Sequence, residues 1–322
     1  MTELLTFGEP MVVWIPHEIG DFSSVKNFSK GVAGAELNVA IGVRRLGHSA
    51  TYYTKLGSDF AGDYILKKIK DEDIDWKHIS ITEDFLTGTY FKTKVDVGDP
   101  SVYYMRKNSA ASHIRIEELD TFSLNDFKIL HLTGITAALS EETFNASLFL
   151  IEKIHNNNIP LQIIFDPNIR KSLWDDEDKM RYKINLLASK ADYFLPGIAE
   201  GKLLCGKKSA EEIAEYYLAN GVRKAVIVKC GGNGAYYKTA TGIGEHVPGF
   251  KVDNIVDTVG AGDAFATGII TGLLEQMRIY DAVVRGNALG AKMLTVFGDN
   301  EGLPSKKELE CFIQNTPQIA IQ

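Results

Sequence analysis

Seven residues, 257–263, combine glycines and carboxylates in a way that phosphate chemistry uses: they read Asp-Thr-Val-Gly-Ala-Gly-Asp. In the following run, 264–277, apolar residues recur near helical spacing, which predicts that Gly260, Ala261 and Gly262 lie at the amino end of a helix. The free backbone N–H groups and the helix dipole favour an anion there. Glycine also lets an oxyanion approach the backbone closely. The segment therefore predicts a phosphate site.

Asp263 adds a carboxylate in the first turn of that helix. Two anions repel each other, so this carboxylate fits phosphate chemistry only if a substrate hydroxyl lies between them. Asp263 is then predicted to be the base that takes the hydroxyl proton, while the backbone of residues 260–263 holds the charge on the transferred phosphoryl group. A helix cap that happens to contain glycines and an acid is the structural alternative.

Two other phosphate motifs are absent from the sequence. The pattern Gly-x4-Gly-Lys-Ser/Thr of a Walker-type loop occurs nowhere. The dinucleotide fingerprint fails because Phe265 stands where a third glycine belongs.

The elements that must position this segment alternate along the chain. Apolar runs predict strands at 4–7, 50–53, 128–132, 161–165, 193–195 and 225–229, and helical patterns between them include 35–46, 61–70, 141–156 and 210–220. This alternation predicts an α/β fold with a mainly parallel sheet covered by helices on both faces. Residues 11–28 and 88–106 instead have period two, with a turn at Gly98-Asp99-Pro100, and predict a second, smaller sheet.

Composition limits the classes of partner. The 322 residues are 45% hydrophobic and 24% charged, with a net charge of -7, which predicts a large core and argues against a nucleic-acid surface. Cys205, Cys230 and Cys311 lack disulfide or zinc spacing, and the histidines lack metal-ligand spacing. We expect a cytoplasmic protein with no membrane partner, since no signal peptide or membrane span is recognisable.

Residues 257–263 resemble the carboxy-terminal signature of the ribokinase-like (PfkB) carbohydrate kinase family. Residues 33–40, Ala-Gly-Ala-Glu-Leu-Asn-Val-Ala, resemble its amino-terminal sugar-binding signature, with Glu36 at the usual proline. The resemblance extends from about residue 4 to residue 304. It implies a three-layer α/β/α main domain formed by 1–10, 34–87 and 107–322. It also implies a discontinuous β lid, 11–33 and 88–106, which covers the sugar and serves as the contact in a homo-oligomer.

The lid carries the residues that bear on the substrate. Alternation places Tyr104 and Arg106 on one face with Tyr103 on the other, and Tyr90 and Lys92 share a face of the facing strand. Guanidinium groups from Arg106 and from Arg170, which follows a strand, would clamp a carboxylate and therefore favour a sugar acid. A solvated arginine, or Arg170 serving the ATP phosphates, is the alternative. With the resemblance, the predicted substrate-binding residues are Gly34, Ala35, Asn38, Tyr90, Tyr104, Arg106, Arg170, Asp263 and Asp299.

The resemblance also implies ATP and Mg²⁺, and it leaves open a monovalent cation near residues 256–258 and 287–298. The implied nucleotide-binding residues are Asn168, Arg170, Lys229, Gly231, Gly234, Gly260, Ala261, Gly262 and Asn287. A glycine-rich hairpin turn is the alternative for Gly231 and Gly234. Glu200 is an indirect metal candidate, because Gly197 replaces the asparagine of the family's Asn-x-x-Glu.

The pattern most resembles the 2-keto-3-deoxygluconate kinases of this family, which implies transfer of the ATP γ-phosphoryl group to the 6-hydroxyl of 2-dehydro-3-deoxy-D-gluconate. Fructokinase, 5-dehydro-2-deoxygluconokinase and ribokinase are the alternative activities. A sugar-binding regulator without catalysis is the alternative of another class. Asp263, Gly260 and Gly262 argue against the regulator, since such a protein has no need of them.

Overall fold

The computed structural model describes residues 2–95, 101–120 and 123–320. The strands are β1 (Leu4–Phe7), β2 (Met11–Pro16), β3 (Phe28–Ala33), β4 (Ala50–Gly57), β5 (Ile79–Thr82), β6 (Thr89–Lys92), β7 (Val102–Met105), β8 (Ile129–Thr133), β9 (Gln162–Asp166), β10 (Tyr193–Phe194), β11 (Ala225–Lys229), β12 (Ala235–Thr239) and β13 (Gly244–Val247). All six strands predicted for the main sheet are present, with ends shifted by a few residues at most.

The helices surround this sheet. They are α1 (Ala35–Arg45), α2 (Phe60–Asp71), α3 (Ile116–Asp120), α4 (Gly134–Leu139), α5 (Glu141–Asn156), α6 (Glu177–Ala188), α7 (Ile198–Cys205), α8 (Ala210–Ala219), α9 (Ala261–Leu274), α10 (Ile279–Met293) and α11 (Lys306–Asn315). Their starts follow local chemistry: Asp59 caps α2, and Ser140 forms a capping box at α5. Among the helices of the described ranges, none has the length and apolar character needed to cross a membrane.

The main sheet has nine strands in the order β13-β12-β11-β10-β9-β8-β1-β4-β5. The strands from β11 to β5 pair in parallel, and β12 and β13 add an antiparallel edge. Successive residues of a strand point to opposite faces of the sheet, and each face has its own hydrophobic core. On β1, Leu4 packs in one core and Leu5 in the other. The predicted α/β fold with helices on both faces is therefore confirmed.

A second sheet of four strands, in the order β3-β2-β6-β7, is the lid sheet. β2 pairs with β3 and β6 with β7 in antiparallel fashion, while β2 and β6 run parallel. Trp14 and Phe91 stack on it with ring centroids 5.7 Å apart. Its strands fall within 11–33 and 88–106, and the turn predicted at Gly98-Asp99-Pro100 lies outside the described residues. Whether these segments move as a lid stays a prediction.

Helix α9 differs from the predicted run 264–277, because it begins at Ala261 and ends at Leu274. Gly260 adopts the left-handed conformation and caps the helix, so the helix starts directly after it. The carboxyl end of α9 is also set by a left-handed residue, because Gln276 has a φ of 57° and cannot continue a helix. The earlier start places Gly262 inside the first turn, and Asp263 lies in that turn as predicted.

Candidate active site

The anion loop, residues 257–263, ends in the first turn of α9. Gly260 has a φ of 76°, and a Cβ atom there would lie 2.4 Å from the carbonyl oxygen of Asp299. Both facts exclude a side chain at this position. Ala261 and Gly262 follow as the first helical residues, where backbone N–H groups lack partners within the helix. The structure thus places the three residues predicted to bind phosphate at a helix amino terminus.

The anion loop opens onto a cavity of about 330 Å³. Its lining contains Asn168, Arg170, Glu200, Lys229, Thr258, Val259, Gly260, Gly262 and Asp263. These side chains come from the carboxyl ends of β9 and β11, from α7 and from α9, which is where open parallel sheets bind ligands. Arg170 is exposed in this cavity, beside the anion loop.

Asp263 is held by two amide side chains. Asn38 Nδ2 donates to Asp263 Oδ2 at 2.8 Å, and Asn168 Nδ2 donates to Asp263 Oδ1 at 3.1 Å. Burial raises the pKa of Asp263, while the bond from Asn38 and the charges of Arg170 and Lys229 act against that rise. The amides orient both carboxylate oxygens, and each oxygen keeps a lone pair for a further proton donor. This geometry suits a positioned base.

Lys229 lines the same cavity. Its Nζ lies 2.6 Å from Oδ2 of Asp166, the last residue of β9, and Asp166 is fully buried. Although burial lowers the pKa of Lys229, the carboxylates of Asp166 and Glu200 raise it overall, so the ammonium stays charged. A Cβ atom on Gly262 would lie 3.9 Å from this ammonium. Lys229 therefore adds positive charge directly beside the anion loop.

Glu200 uses both carboxylate oxygens on the backbone. Oε2 accepts from the N–H of Gly197 at 2.6 Å, which caps α7, and Oε1 accepts from the N–H of Ile169 at 2.8 Å. In this arrangement Glu200 fixes the segment that carries Asn168 and Arg170. No group of three or more potential metal ligands occurs within the described parts of the chain. The indirect role of Glu200 toward Mg²⁺ stays a prediction.

A second cavity of about 400 Å³ adjoins the anion loop. Six residues predicted to contact the nucleotide line it, together with apolar side chains: the lining includes Lys229, Gly231, Gly234, Phe250, Ala261, Gly262, Phe265, Asn287, Ala291 and Leu294. Gly231 and Gly234 lie in the turn of the β11–β12 hairpin, as the structural alternative predicted, and they also line this cavity. Their contact with the nucleotide stays a prediction. Asn287 Nδ2 donates to the carbonyls of Val247 and Pro248 and so shapes the wall.

The amino-terminal signature lies beneath the lid sheet. Gly34 has a φ of 135°, and a Cβ atom there would lie 2.7 Å from the Glu9 carbonyl oxygen. Ala35 begins α1, which turns Asn38 toward Asp263. Glu36 points elsewhere: its Oε1 accepts from Thr133 and Thr136, in the interior. Burial raises the pKa of Glu36 to about 7.

The inner side of the lid sheet contacts the main domain through Tyr90. This side chain is buried, and its hydroxyl donates to Asp299 Oδ1 at 3.0 Å. Tyr104 is the partner of Tyr90 across β6 and β7, with ring centroids 5.3 Å apart. The Cζ atom of Arg106 lies 5.5 Å from the centroid of the Tyr104 ring. The three lid residues predicted to bind the sugar therefore form one cluster.

Arg106 has a partner that the sequence did not suggest. Its Nη2 forms an ion pair with Oε2 of Glu9, which follows β1, and both side chains are buried. Ser109 also donates to Glu9. Arg170 lies instead in the cavity of the anion loop. The two arginines thus have different surroundings. Nε of Arg106 has no hydrogen-bond partner among the described residues.

Sequence reasoning missed Glu9 and Asp166 as members of the site. Both occur where a predicted parallel strand ends, at 4–7 and at 161–165, and that position was the available signal. Lys92 was noted only for sharing a face with Tyr90. In the structure its ammonium is buried beside Asp257, in the anion loop.

Comparisons with known proteins show one family along nearly the whole chain. The family model described as pfkB family carbohydrate kinase matches residues 1–306. The 2-dehydro-3-deoxygluconokinase of Bacillus subtilis (strain 168) is 45% identical over 312 residues, covering 97% of this chain and 95% of the relative.

Solved structures share the fold. A PfkB protein from Polaromonas sp. JS666 superposes with a TM-score of 0.88 at 38% identity, covering 96% of this chain and 99% of that one. A putative ribokinase II from E. coli, solved in complex with ATP and Mg²⁺, gives a TM-score of 0.88 at 29% identity, covering 98% and 99%. With both signatures meeting at Asp263, the chain belongs to the pfkB family of carbohydrate kinases.

Proposed function

We propose that this chain is an ATP-dependent kinase that phosphorylates the terminal 6-hydroxyl of a sugar acid, 2-dehydro-3-deoxy-D-gluconate. The observation that carries the proposal is the position of Asp263, oriented by Asn38 and Asn168 at the helix end that begins with Gly260. The 45% identity to a 2-dehydro-3-deoxygluconokinase supports the choice of substrate.

In the proposed reaction, Asp263 accepts the proton of the sugar hydroxyl as the hydroxyl oxygen attacks the γ-phosphorus of ATP. The new oxygen–phosphorus bond forms, the bond from the γ-phosphorus to the β,γ-bridging oxygen breaks, and ADP leaves with the electron pair. The backbone N–H groups that follow Gly260 stabilise the charge on the transferred group. Lys229, held by Asp166, adds positive charge on the same side.

The cavity of about 400 Å³ fits the nucleotide, because glycines 231, 234 and 262 leave its backbone open and Phe250 and Leu294 give it apolar walls. Mg²⁺ neutralises phosphate charge when it is bound. It keeps several waters and binds phosphates more than protein, which agrees with a site where Glu200 is engaged by backbone N–H groups.

The sugar acid is inferred from Arg106. Its buried Nε lacks a hydrogen-bond partner in the described part of the chain, and a carboxylate satisfies such a donor better than a neutral hydroxyl does. Tyr90, Tyr104 and Asp299 lie in the same region and offer partners for hydroxyl groups. Arg170, exposed beside the anion loop, is proposed to contact the phosphates or the acid.

A coupled assay of ADP release across a panel of sugars tests this function. We expect 2-dehydro-3-deoxygluconate to give a far higher kcat/KM than fructose, ribose or 5-dehydro-2-deoxygluconate. A preference for fructose assigns the fructokinase alternative. Binding of sugar without any ADP release assigns the non-catalytic regulator.

We also propose a homo-oligomer, a dimer or larger, formed through the lid sheet. Strand β7 is the edge of that sheet, and its four residues Val102–Met105 are exposed although all are apolar or aromatic. Light scattering after gel filtration, with Tyr103→Glu as the disrupting variant, tests this. The reaction is placed in the cytoplasm because it consumes ATP.

A further inference from the structure

Lys92 is a buried cation in a position that the reaction scheme leaves unused. It is the last residue of β6 and is 3% exposed. Its Nζ lies 3.5 Å from Asp257 Oδ2 and 4.2 Å from the centroid of the Phe297 ring. The ammonium of a lid strand is therefore enclosed between the start of the anion loop and the segment that follows α10.

Asp257 joins these same two segments. Its Oδ1 accepts from the N–H of Val259 at 3.1 Å, inside the anion loop, and its Oδ2 accepts from the N–H of Gly298 at 3.3 Å. A Cβ atom on Gly260 would lie 2.4 Å from the carbonyl oxygen of Asp299, the residue after Gly298. The conformation of the anion loop thus depends on Asp257, whose side chain is only 11% exposed. A carboxylate this enclosed needs a counter-charge.

The family resemblance left open a monovalent cation at these segments, near 256–258 and 287–298. The residues present do not fit one, because the ammonium of Lys92 is already within ion-pair distance of the Asp257 carboxylate. A second cation close to it would be repelled. Asp299 faces the same ammonium: burial raises the pKa of Asp299 to about 6, and Lys92 acts in the opposite direction.

We propose that Lys92 is the resident cation of the anion loop, so that phosphoryl transfer by this chain needs no monovalent cation. The ammonium supplies the charge that holds Asp257, and it is delivered by the lid sheet. Lys92 is a positioning residue, since it acts on the reacting groups through Asp257 and the anion loop. This inference rests on the proposed kinase function.

The test compares wild type with Lys92→Met, Lys92→Arg and Lys94→Met, all prepared free of Na⁺ and K⁺ with Tris salts of ATP. Lys94 is the matched control, because it follows β6 and is exposed. Its ammonium donates only to the His17 carbonyl among the described contacts. Turnover and the apoenzyme melting temperature are measured in KCl and in tetramethylammonium chloride at equal ionic strength.

We expect no salt effect in wild type, Lys92→Arg and Lys94→Met. Each of these proteins should have the same turnover and the same melting temperature in KCl as in tetramethylammonium chloride. Lys92→Met should lose roughly tenfold or more in kcat without K⁺, the scale of a lost electrostatic contact. K⁺ should restore part of that loss and raise the melting temperature of this variant alone.

The inference is overturned if K⁺ raises the turnover and the melting temperature of wild type as much as it raises those of Lys92→Met. Melting does not depend on turnover, so the cation question is decided even if no sugar is phosphorylated. Absence of turnover on every sugar contradicts the proposed function instead.

Discussion

Asn38 and Asp263 are 225 positions apart in the chain, yet Asn38 Nδ2 donates to Asp263 Oδ2 at 2.8 Å. Each residue belongs to one of the two family signatures, and this bond is where the signatures meet. Asn38 Oδ1 also accepts from Asn300, which in turn donates to the Val32 carbonyl at the end of β3. The base is thereby connected to the segment after α10 and to the lid sheet.

Replacing the base should stop turnover while the protein stays folded. In Asp263→Asn the carboxylate that accepts the hydroxyl proton is gone, so kcat should fall by roughly 10²- to 10⁴-fold. The melting temperature and the affinity for ATP should change little, because the amide can keep a hydrogen bond with Asn38 or Asn168. Near-normal ADP release by the folded variant would remove Asp263 from the mechanism.

The bond from Asn38 should be visible in the pH dependence of kcat. It lowers the pKa of Asp263 against the raising effect of burial, because a donor stabilises the charged form. Asn38→Ala should therefore raise that pKa and move the acidic limb of the kcat profile to higher pH. Asn168→Ala is the matched variant and should move the limb in the same direction. An acidic limb that stays in place in both variants contradicts the assigned base.

Substrate discrimination should depend on the shape of the Arg106 side chain. Alanine would leave Glu9 buried without its ion-pair partner, which costs on the order of 3 to 5 kcal/mol, so Arg106→Lys is the cleaner variant. Lysine keeps the charge beside Glu9 but loses the fork that pairs with a carboxylate.

We expect the melting temperature of Arg106→Lys to stay close to that of wild type. Its kcat/KM for the sugar acid should fall by roughly tenfold or more, with little change for fructose and little change in the KM for ATP. An equal loss on the acid and on fructose would assign Arg106 to the lid sheet alone.

Glu36 should make the stability of the protein depend on pH. Its pKa is raised from 4.5 to about 7 by burial, so the folded state holds a proton that the unfolded state releases. Stability should then fall as the pH rises from about 4.5 to about 7, and flatten above that range, with a total loss on the order of a few kcal/mol. Glu36→Gln cannot ionise and should lose this slope. Parallel unfolding curves for both proteins from pH 5 to pH 8 would show that Glu36 is not the cause.

The lid sheet should become more ordered when both substrates bind, since a phosphoryl donor must be kept from water. The exchangeable backbone amides of β2 and β6 should exchange more slowly with sugar and a non-hydrolysable ATP analogue than with either alone. Strand β9, in the centre of the main sheet, is the internal control. Unchanged exchange in the lid strands would contradict closure.

The sequence by itself determined the features that depend on neighbouring residues. The anion loop was predictable because glycines before a helical pattern create free N–H groups wherever the helix lies, and the strands of the main sheet followed from short apolar runs. The exact start of α9 was not predictable, since it depends on the left-handed conformation of Gly260 under the carbonyl of Asp299.

The tertiary structure decided which side chains meet. Periodicity could place Tyr90 and Lys92 on one face of β6, but their partners, Asp299 and Asp257, come from distant segments that pack against that face. Likewise, Glu9 could be paired with Arg106 only after the order of the strands brought the end of β1 under the lid sheet. A local pattern tells which way a side chain faces, whereas the order of the strands decides what stands opposite it.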